Sequence, residues 1–159
     1  MSVNLLKNLI ENDSILVNQQ ANTWKEAVEI SCKPLLDKNL ISQKYVDGII
    51  DSTIENGPYY IIAPFLAMPH AAAGHGVFED CFSLVTFKKP FYFDGDSRPI
   101  QILITLGATS SDIHTSVALP QIVAVFENSE NVEAIVNAKN KDEIISLIQQ
   151  VDFTKYLEK

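Results

Sequence analysis

The sequence predicts an α/β domain in which a mixed central β-sheet is flanked by helices on both faces. Three observations lead to this prediction. Segments with helical spacing precede and follow a group of short strands, the strands are apolar enough to be buried on both faces, and 47% of the residues are hydrophobic. The 159 residues suit a single domain that spans 1–159.

The first part of the chain is mainly helical. Thr23 begins a Thr-Trp-Lys-Glu capping box, and apolar residues behind it recur at helical spacing. Ser42 is the predicted cap of the next helix, which the Gly57-Pro58 pair ends. The predicted elements are a helix over residues 4–11, a strand from Ile15 to Gln19, a helix from Trp24 to about Asn39, and a helix after Ser42.

The rest of the chain, from Tyr60 onward, is predicted to form the central strands and then further helices. Ser110-Ser111-Asp112 is a helix-capping sequence, and Pro120 is expected to kink the helix that follows. The predicted strands are Tyr60 to Ala63, Phe82 to Phe87 and Pro99 to Leu106, with turns at Lys89-Pro90-Phe91 and Asp94-Gly95-Asp96. The predicted helices run from Ile113 to about Phe126, from Glu130 to Ala138 and from Asp142 to Val151.

Charge and hydropathy narrow the class of partner. The net charge of −8 argues against nucleic acid or an anionic membrane surface, and no apolar stretch approaches the roughly 20 residues that span a bilayer. The first residues lack the pattern of a signal peptide. Cys32 and Cys81 are isolated in the sequence and form no disulfide framework. We therefore expect a cytoplasmic, reduced protein.

His70 is the first candidate functional residue. It follows an apolar run and Pro69, which lacks an N–H, so the chain leaves the sheet there. The mouth of the sheet, where its strands end, is where α/β domains commonly bind small anionic ligands. A neutral imidazole has one bare ring nitrogen and can attack a phosphoryl group without a separate base. The alternative interpretation is a loop histidine that hydrogen-bonds a carbonyl.

His114 is the second candidate. It lies in the first turn of the helix that Ser111 or Asp112 caps, where backbone N–H groups and the helix dipole favour phosphate. The same dipole disfavours the charged imidazole. A surface histidine at a helix start is the alternative interpretation. Taken together, His70 and His114 predict a site with two histidines.

Five stretches of the chain carry a resemblance to a known family. They are TWKEAVEISCKPLL, GPYYIIAPFLAMPHAAAGHGV, FSLVTFKKPFYF, PIQILITLGAT and HTSVALPQIVAVFENSENVEAI. The chain resembles, over nearly its whole length, the IIA component of the bacterial phosphoenolpyruvate-dependent sugar phosphotransferase system (PTS). It is similar to the mannitol/fructose class (EIIA type 2) and, within it, to the ascorbate-type proteins.

This resemblance implies an α/β sandwich and a phosphoryl carrier. His70 aligns with the phosphorylated histidine, and His114 with a second histidine that hydrogen-bonds the first or the phosphoryl oxygens. The implied donor is the phosphocarrier HPr and the implied acceptor is a cysteine of a IIB component, which serves a IIC permease. No metal or organic cofactor is implied. A regulatory domain that uses the same phosphorylation is the alternative function, and the sugar is not readable from this chain.

One departure from the family lies directly behind His70. Ascorbate-type members usually place an arginine there, whereas residues 71–73 are all alanine and the only arginine of the chain is Arg98. Loss of a guanidinium removes a strong, charge-assisted phosphate contact. Three explanations remain open: His75 replaces it in part, backbone donors at the helix start are enough, or the protein is slow or regulatory.

Several nearby side chains are weaker candidates, each with a structural alternative. They are Ser110 and Ser111 (phosphate or partner contacts, or helix capping), Lys88-Lys89 (phosphate or partner contacts, or a solvated strand end), Glu79 and Asp80 (orienting a histidine, or surface acids), and Phe65, Leu66 and Met68 (an apolar docking rim, or core). A distant alternative function is a metal-binding module formed by the three histidines with Asp80 or Glu79.

Overall fold

The computed structural model describes residues 4–151, which form a five-stranded mixed sheet in the order β1-β4-β5-β3-β2. The pairs β4–β5 and β2–β3 are antiparallel, and the pairs β1–β4 and β3–β5 are parallel. The strands are β1 (Ile15–Gln19), β2 (Ile61–Ala63), β3 (Phe65–Ala67), β4 (Cys81–Phe91) and β5 (Ile100–Gly107). The predicted mixed central sheet is confirmed.

Helices cover both faces of this sheet. Helices α2 and α3 enclose one hydrophobic core, and α1, α5, α6 and α7 enclose the other. Strand β5 contributes to both cores, with Ile104 in one and Leu103 in the other. The helices are α1 (Leu5–Glu11), α2 (Trp24–Asp37), α3 (Gln43–Asn56), α4 (Ser111–Ile113), α5 (Leu119–Phe126), α6 (Ser129–Val136) and α7 (Lys141–Gln149).

Strand β3 was not predicted from the sequence. The predicted strand over Tyr60 to Ala63 continues through Pro64 into a second short strand, with Ile61 paired to Ala67. A strand of three residues is too short to show the alternation that identifies longer strands. The hairpin matters for the site because β3 leads directly to His70.

The turn predicted at Lys89-Pro90-Phe91 is wrong, because these residues belong to β4. Proline removes a ladder hydrogen bond and is normally excluded from central strands. Here β1 pairs with β4 only as far as Phe87, so Pro90 lies beyond the end of its neighbour, and the register with β5 shifts between Thr86 and Phe91. The expected turn at Asp94-Gly95 is present.

The helix that carries His114 differs from the predicted kinked helix. A π-helical turn, His114–Ala118, joins α4 to α5, and the Leu119 N–H donates to the carbonyl of His114. Pro120 has no N–H and its ring would clash with the carbonyl one turn earlier in a regular α-helix. A π-turn placed just before the proline changes the hydrogen-bond register. His114 is the first residue of this π-turn and directly follows the end of α4.

The strand directions bring the candidate histidines to one edge of the sheet. Parallel β3 and β5 end at the same edge with Ala67 and Gly107, and β4 begins there because Cys81 pairs with Gly107. We call these strand ends the site edge and the opposite strand ends the far edge. The loops at residues 68–80 and 108–114 lie at the site edge. Within residues 4–151 no helix is both long and apolar enough to cross a membrane.

Candidate functional site

The main chain around His70 is held by hydrogen bonds on both sides. The Leu106 N–H at the end of β5 donates to the Pro69 carbonyl (3.2 Å), which ties the strand exit to the sheet. The Tyr59 hydroxyl donates to the carbonyl of His70 (3.0 Å). Both hydrogen bonds are made to main-chain carbonyls, so the backbone of residues 69 and 70 is held without use of the imidazole.

A second tyrosine fixes the next peptide. The Tyr45 hydroxyl of α3 donates to the Leu106 carbonyl (2.5 Å) and accepts from the Ala71 N–H (3.1 Å). Tyr45 is 1% exposed, and burial raises the pKa of its phenol. The hydroxyl thus stays protonated and bridges β5 to the loop that carries His70.

The imidazole of His70 has a defined tautomer. Its Nδ1 lies 2.8 Å from the Met68 carbonyl oxygen, which can only accept, so Nδ1 carries the hydrogen and Nε2 keeps a bare lone pair. Burial lowers the pKa of His70 below its ordinary value, while the bond to Met68 acts in the opposite direction. His70 therefore does hydrogen-bond a carbonyl, as in the alternative interpretation, but only through Nδ1. Its Nε2 remains available as a nucleophile.

Three aromatic rings surround this imidazole. The His114 ring centroid lies 4.7 Å away with the planes tilted by 46°. Tyr59 lies at 5.5 Å in an edge-to-face arrangement, and Tyr60 lies at 6.1 Å. Tyr60 is 1% exposed and Tyr59 is 49% exposed, so one closes the site from inside and the other borders solvent.

His114 is brought to His70 by the start of the helical segment. Ser110 caps it, and not Ser111 or Asp112 as predicted, because the Ser110 hydroxyl oxygen accepts from the Ile113 N–H (3.2 Å) and α4 already includes Ser111 and Asp112. His114 is half-buried, and burial, followed by the nearby His70, lowers the pKa of its ring. Two neutral imidazoles in contact are favoured over two cations at this edge.

A shallow pocket of about 290 Å³ opens beside the two rings. No lysine or arginine of residues 4–151 lines this pocket, and its only hydroxyls among the described residues belong to Ser111 and Tyr59. The N–H groups of Ala72 and Ala73 make no hydrogen bond to the described part of the chain. The lining residues are Tyr59, His70, Ala71, Ala72, Ala73, Ser111 and His114.

The other basic candidates lie away from this pocket. His75 is exposed and does not line it. Lys88 and Lys89 are exposed near the far end of β4, and Arg98 precedes β5 at that same far edge, where it pairs with Asp96 (2.6 Å). Since β5 rises about 3.3 Å per residue, the far edge is roughly 25 Å from the site edge.

The acidic and apolar candidates have structural positions. One carboxylate oxygen of Asp80 accepts from the Thr109 N–H and hydroxyl (2.7 and 2.9 Å), so it ties the loop before β4 to the residue after β5. Leu66 and Met68 are buried in the core, and Phe65 is exposed at the far end of β3, so they form no rim around His70. Within residues 4–151 no three histidine, cysteine or acidic side chains are close enough to hold a metal ion.

Sequence reasoning missed three groups that shape the site: the Met68 carbonyl and the hydroxyls of Tyr45 and Tyr59. A main-chain carbonyl has no sequence signal. The Tyr59-Tyr60 pair stands in the stretch that resembles the family, but nothing in the sequence shows that it packs against a histidine ten residues later.

Comparison with known proteins agrees with this architecture. The family model described as phosphoenolpyruvate-dependent sugar phosphotransferase system, EIIA 2, matches residues 8–151. A protein of Mycoplasma pneumoniae, named ascorbate-specific PTS system EIIA component, is 41% identical over 149 residues, which cover 94% of each chain. The fold and these matches define the class: a phosphotransfer protein of the sugar phosphotransferase system.

Solved structures extend the comparison. The mannitol-specific cryptic phosphotransferase enzyme IIA (CmtB) of Escherichia coli is 37% identical, with a TM-score of 0.81 over 90% of this chain and 99% of that one. The mannitol IIA in a complex with phosphorylated IIB from E. coli gives a TM-score of 0.75 over 87% and 95% at 15% identity, which shows the fold alone. The chain described above belongs to the EIIA 2 family of the PTS and is an EIIA component.

Proposed function

We propose that this EIIA component carries a phosphoryl group on Nε2 of His70. The observation that supports the proposal best is the hydrogen bond from Nδ1 to the Met68 carbonyl (2.8 Å), because it leaves Nε2 as the nucleophilic nitrogen. The lowered pKa keeps the ring neutral at neutral pH, so no separate base is required.

The transfer is a displacement at phosphorus. The Nε2 lone pair forms the new N–P bond while the N–P bond of the donor phosphohistidine breaks, and the donor imidazole leaves with that bonding pair. During onward transfer the thiolate sulfur of the acceptor cysteine forms a new S–P bond while the Nε2–P bond breaks. Because the Met68 carbonyl holds the proton on Nδ1, the His70 ring leaves as a neutral imidazole, which is a better leaving group than an anion.

The groups around the pocket supply the phosphate contacts in this proposal. His114 lies against His70 and Ser111 lines the same pocket. The N–H groups of Ala72 and Ala73 provide donors in place of a guanidinium, because they have no other acceptor in residues 4–151. His75 has no part in the proposed site, because it is exposed outside the pocket.

The partners follow from the family. We propose the histidine phosphocarrier HPr as donor and a cysteine of a IIB component as acceptor, in the cytoplasm, with a IIC permease served indirectly. The IIA–IIB complex of the mannitol system is the structural precedent for the second step. The relative named ascorbate-specific supports ascorbate as the transported compound.

The test compares three histidine variants. With phosphoenolpyruvate, enzyme I and HPr, the parent should gain one phosphoryl group by mass spectrometry, and His70→Gln should gain none. His114→Gln should accept phosphate but pass it to IIB more slowly. His75→Gln is the matched control and should behave as the parent.

Two results would decide against the assignment. Full labelling of His70→Gln would place the phosphoryl group elsewhere, and unchanged transfer by His114→Gln would remove that ring from the site.

Supplying the IIB proteins of the ascorbate and mannitol systems separately identifies the transport system. Labelling without delivery to either IIB would favour the regulatory alternative.

A further inference from the structure

We propose that Tyr59 is a positioning residue that holds His70 in register and keeps water away from its phosphorylated imidazole. The inference rests on the proposed phosphorylation of His70 and assigns a role to a residue outside the histidine pair. It is carried by two separate contacts of Tyr59 with His70, one through the hydroxyl and one through the ring.

The hydroxyl acts on the backbone. It donates to the His70 carbonyl (3.0 Å) and accepts from the Ser52 hydroxyl of α3 (3.3 Å). His70 lies at the start of a long loop that returns to the sheet at Cys81, so its carbonyl is otherwise outside the sheet ladder. The Tyr59 bond therefore links the reactive residue to a rigid helix, as precise transfer geometry requires.

The ring acts on the imidazole. It lies edge-to-face with His70 (5.5 Å, 87°) and also packs against buried Tyr60 (5.1 Å). Tyr60 and His114 contact the imidazole from other directions, and Tyr59 is the most exposed of the three rings. Tyr59 is thus a wall of the site that separates His70 from bulk water.

Water exclusion matters because a phosphohistidine is reactive towards water. In hydrolysis a water oxygen forms a bond to phosphorus, the Nε2–P bond breaks, and the imidazole leaves with the electron pair. The inorganic phosphate that is released keeps both protons of the water, since Nδ1 of the ring already carries its own proton. A proton on Nδ1 makes the ring a good leaving group for the acceptor and equally for water. A carrier with this tautomer needs a barrier against water until the acceptor docks.

The experiment separates the hydroxyl from the ring. Tyr59→Phe removes the hydrogen bond and keeps the ring, whereas Tyr59→Leu removes both. Tyr92→Phe and Tyr92→Leu are matched controls, since Tyr92 is similarly exposed (51%) and follows β4 at the far edge of the sheet. Each purified protein is phosphorylated with phosphoramidate, a small donor that needs no partner protein, and its labelling rate and the decay of the phosphorylated mass are measured.

We expect distinct effects from the two substitutions. Tyr59→Phe should label about two- to tenfold more slowly, the effect of one net hydrogen bond, with a phosphohistidine lifetime close to the parent's. Tyr59→Leu should also shorten the lifetime by about two- to tenfold, the range of one aromatic pair. A lifetime in Tyr59→Leu equal to that of the parent and of the Tyr92 variants would overturn the water-exclusion role, and a parental labelling rate in Tyr59→Phe would overturn the hydroxyl's role.

A second measurement does not depend on phosphorylation. NMR titration of the unphosphorylated proteins should show a higher pKa for His70 in Tyr59→Leu than in the parent, because burial of the ring is reduced. An unchanged pKa would contradict the shielding role even if the proposed function were correct. If Tyr59→Leu raises the pKa of His70 as expected but the parent accepts no phosphoryl group from any donor, the proposed function is overturned, and the carrier role of Tyr59 with it.

Discussion

Ala72→Arg tests how much a cationic side chain in the pocket would speed the phosphorylation of His70. Ala72 is exposed, lines the pocket and does not have a positive φ angle, so a long side chain fits there without backbone strain. The guanidinium would enter a pocket that no lysine or arginine of the described residues lines. We expect faster phosphorylation of His70.

The size of the effect follows from the contact that is added. A hydrogen bond to a charged group contributes about 1.5–3 kcal/mol, which corresponds to about a 10- to 150-fold change in the rate of phosphorylation if the contact is made in the transition state but not in the unphosphorylated protein. Because position 72 is exposed, solvent screening places the expectation at the lower end, about tenfold. Raising the salt concentration should reduce the gain.

The assay is the initial rate of phosphorylation by phosphoramidate, at low and high ionic strength. Ala72→Gln is the control for side-chain length without charge. His75→Arg adds the same charge to the same loop outside the pocket, and should give a much smaller gain. If Ala72→Arg is no faster than Ala72→Gln at low salt, the pocket already supplies the charge stabilisation and the reasoning is wrong.

Two further predictions concern stability. Gly76→Ala should lower the free energy of unfolding by about 1–3 kcal/mol more than Gly95→Ala in urea titrations. Both glycines have positive φ, but the new Cβ at Gly76 would lie 2.6 Å from the Ser42 hydroxyl oxygen, whereas Gly95 has no neighbour within 4 Å. Equal losses would show that the Ser42 side chain moves away freely. The lowered pKa of His70 means that the unfolded chain binds the proton first, so stability should fall as the pH drops below the unfolded value of about 6.5. His70→Gln should reduce this slope between pH 7.5 and 5.5, and an unchanged slope would contradict the depressed pKa.

Elements with local signals were predictable from the sequence. The Thr23 hydroxyl accepts from the Glu26 N–H, as the capping box predicts, and α2 begins at Trp24. Ser42 begins α3 as expected, yet its hydroxyl makes no cap bond and has no hydrogen-bond partner in the described chain. Glycine at position 76 leaves that hydroxyl just enough space, a packing constraint that no local pattern shows.

The pairing of His70 with His114 was predictable from the sequence, but the hydrogen bonds that hold and orient His70 were not. His70 and His114 stood out because the chain has three histidines and because both lie next to predicted element ends. The tautomer depends on a carbonyl two residues before His70. The main chain of His70 and Ala71 is held by hydroxyls that lie 11 and 26 residues away in the sequence. Such contacts depend on the tertiary fold and leave no period or spacing in the sequence.

The distribution of cations along the sheet bears on the proposed carrier role. Strand direction places Lys88, Lys89 and Arg98 at the far edge, and no lysine or arginine of residues 4–151 lines the pocket. The lining that the structure describes offers neutral imidazoles, a serine hydroxyl and backbone N–H groups. A guanidinium held on the phosphoryl group would stabilise the phosphorylated carrier as well as the transition state, and such uniform stabilisation does not speed onward transfer. A pocket of neutral donors holds the group less tightly and keeps its transfer to the acceptor favourable. The alanines behind His70 are therefore compatible with a working carrier, and Ala72→Arg should raise the phosphorylated fraction at equilibrium more than it raises the rate of delivery to IIB.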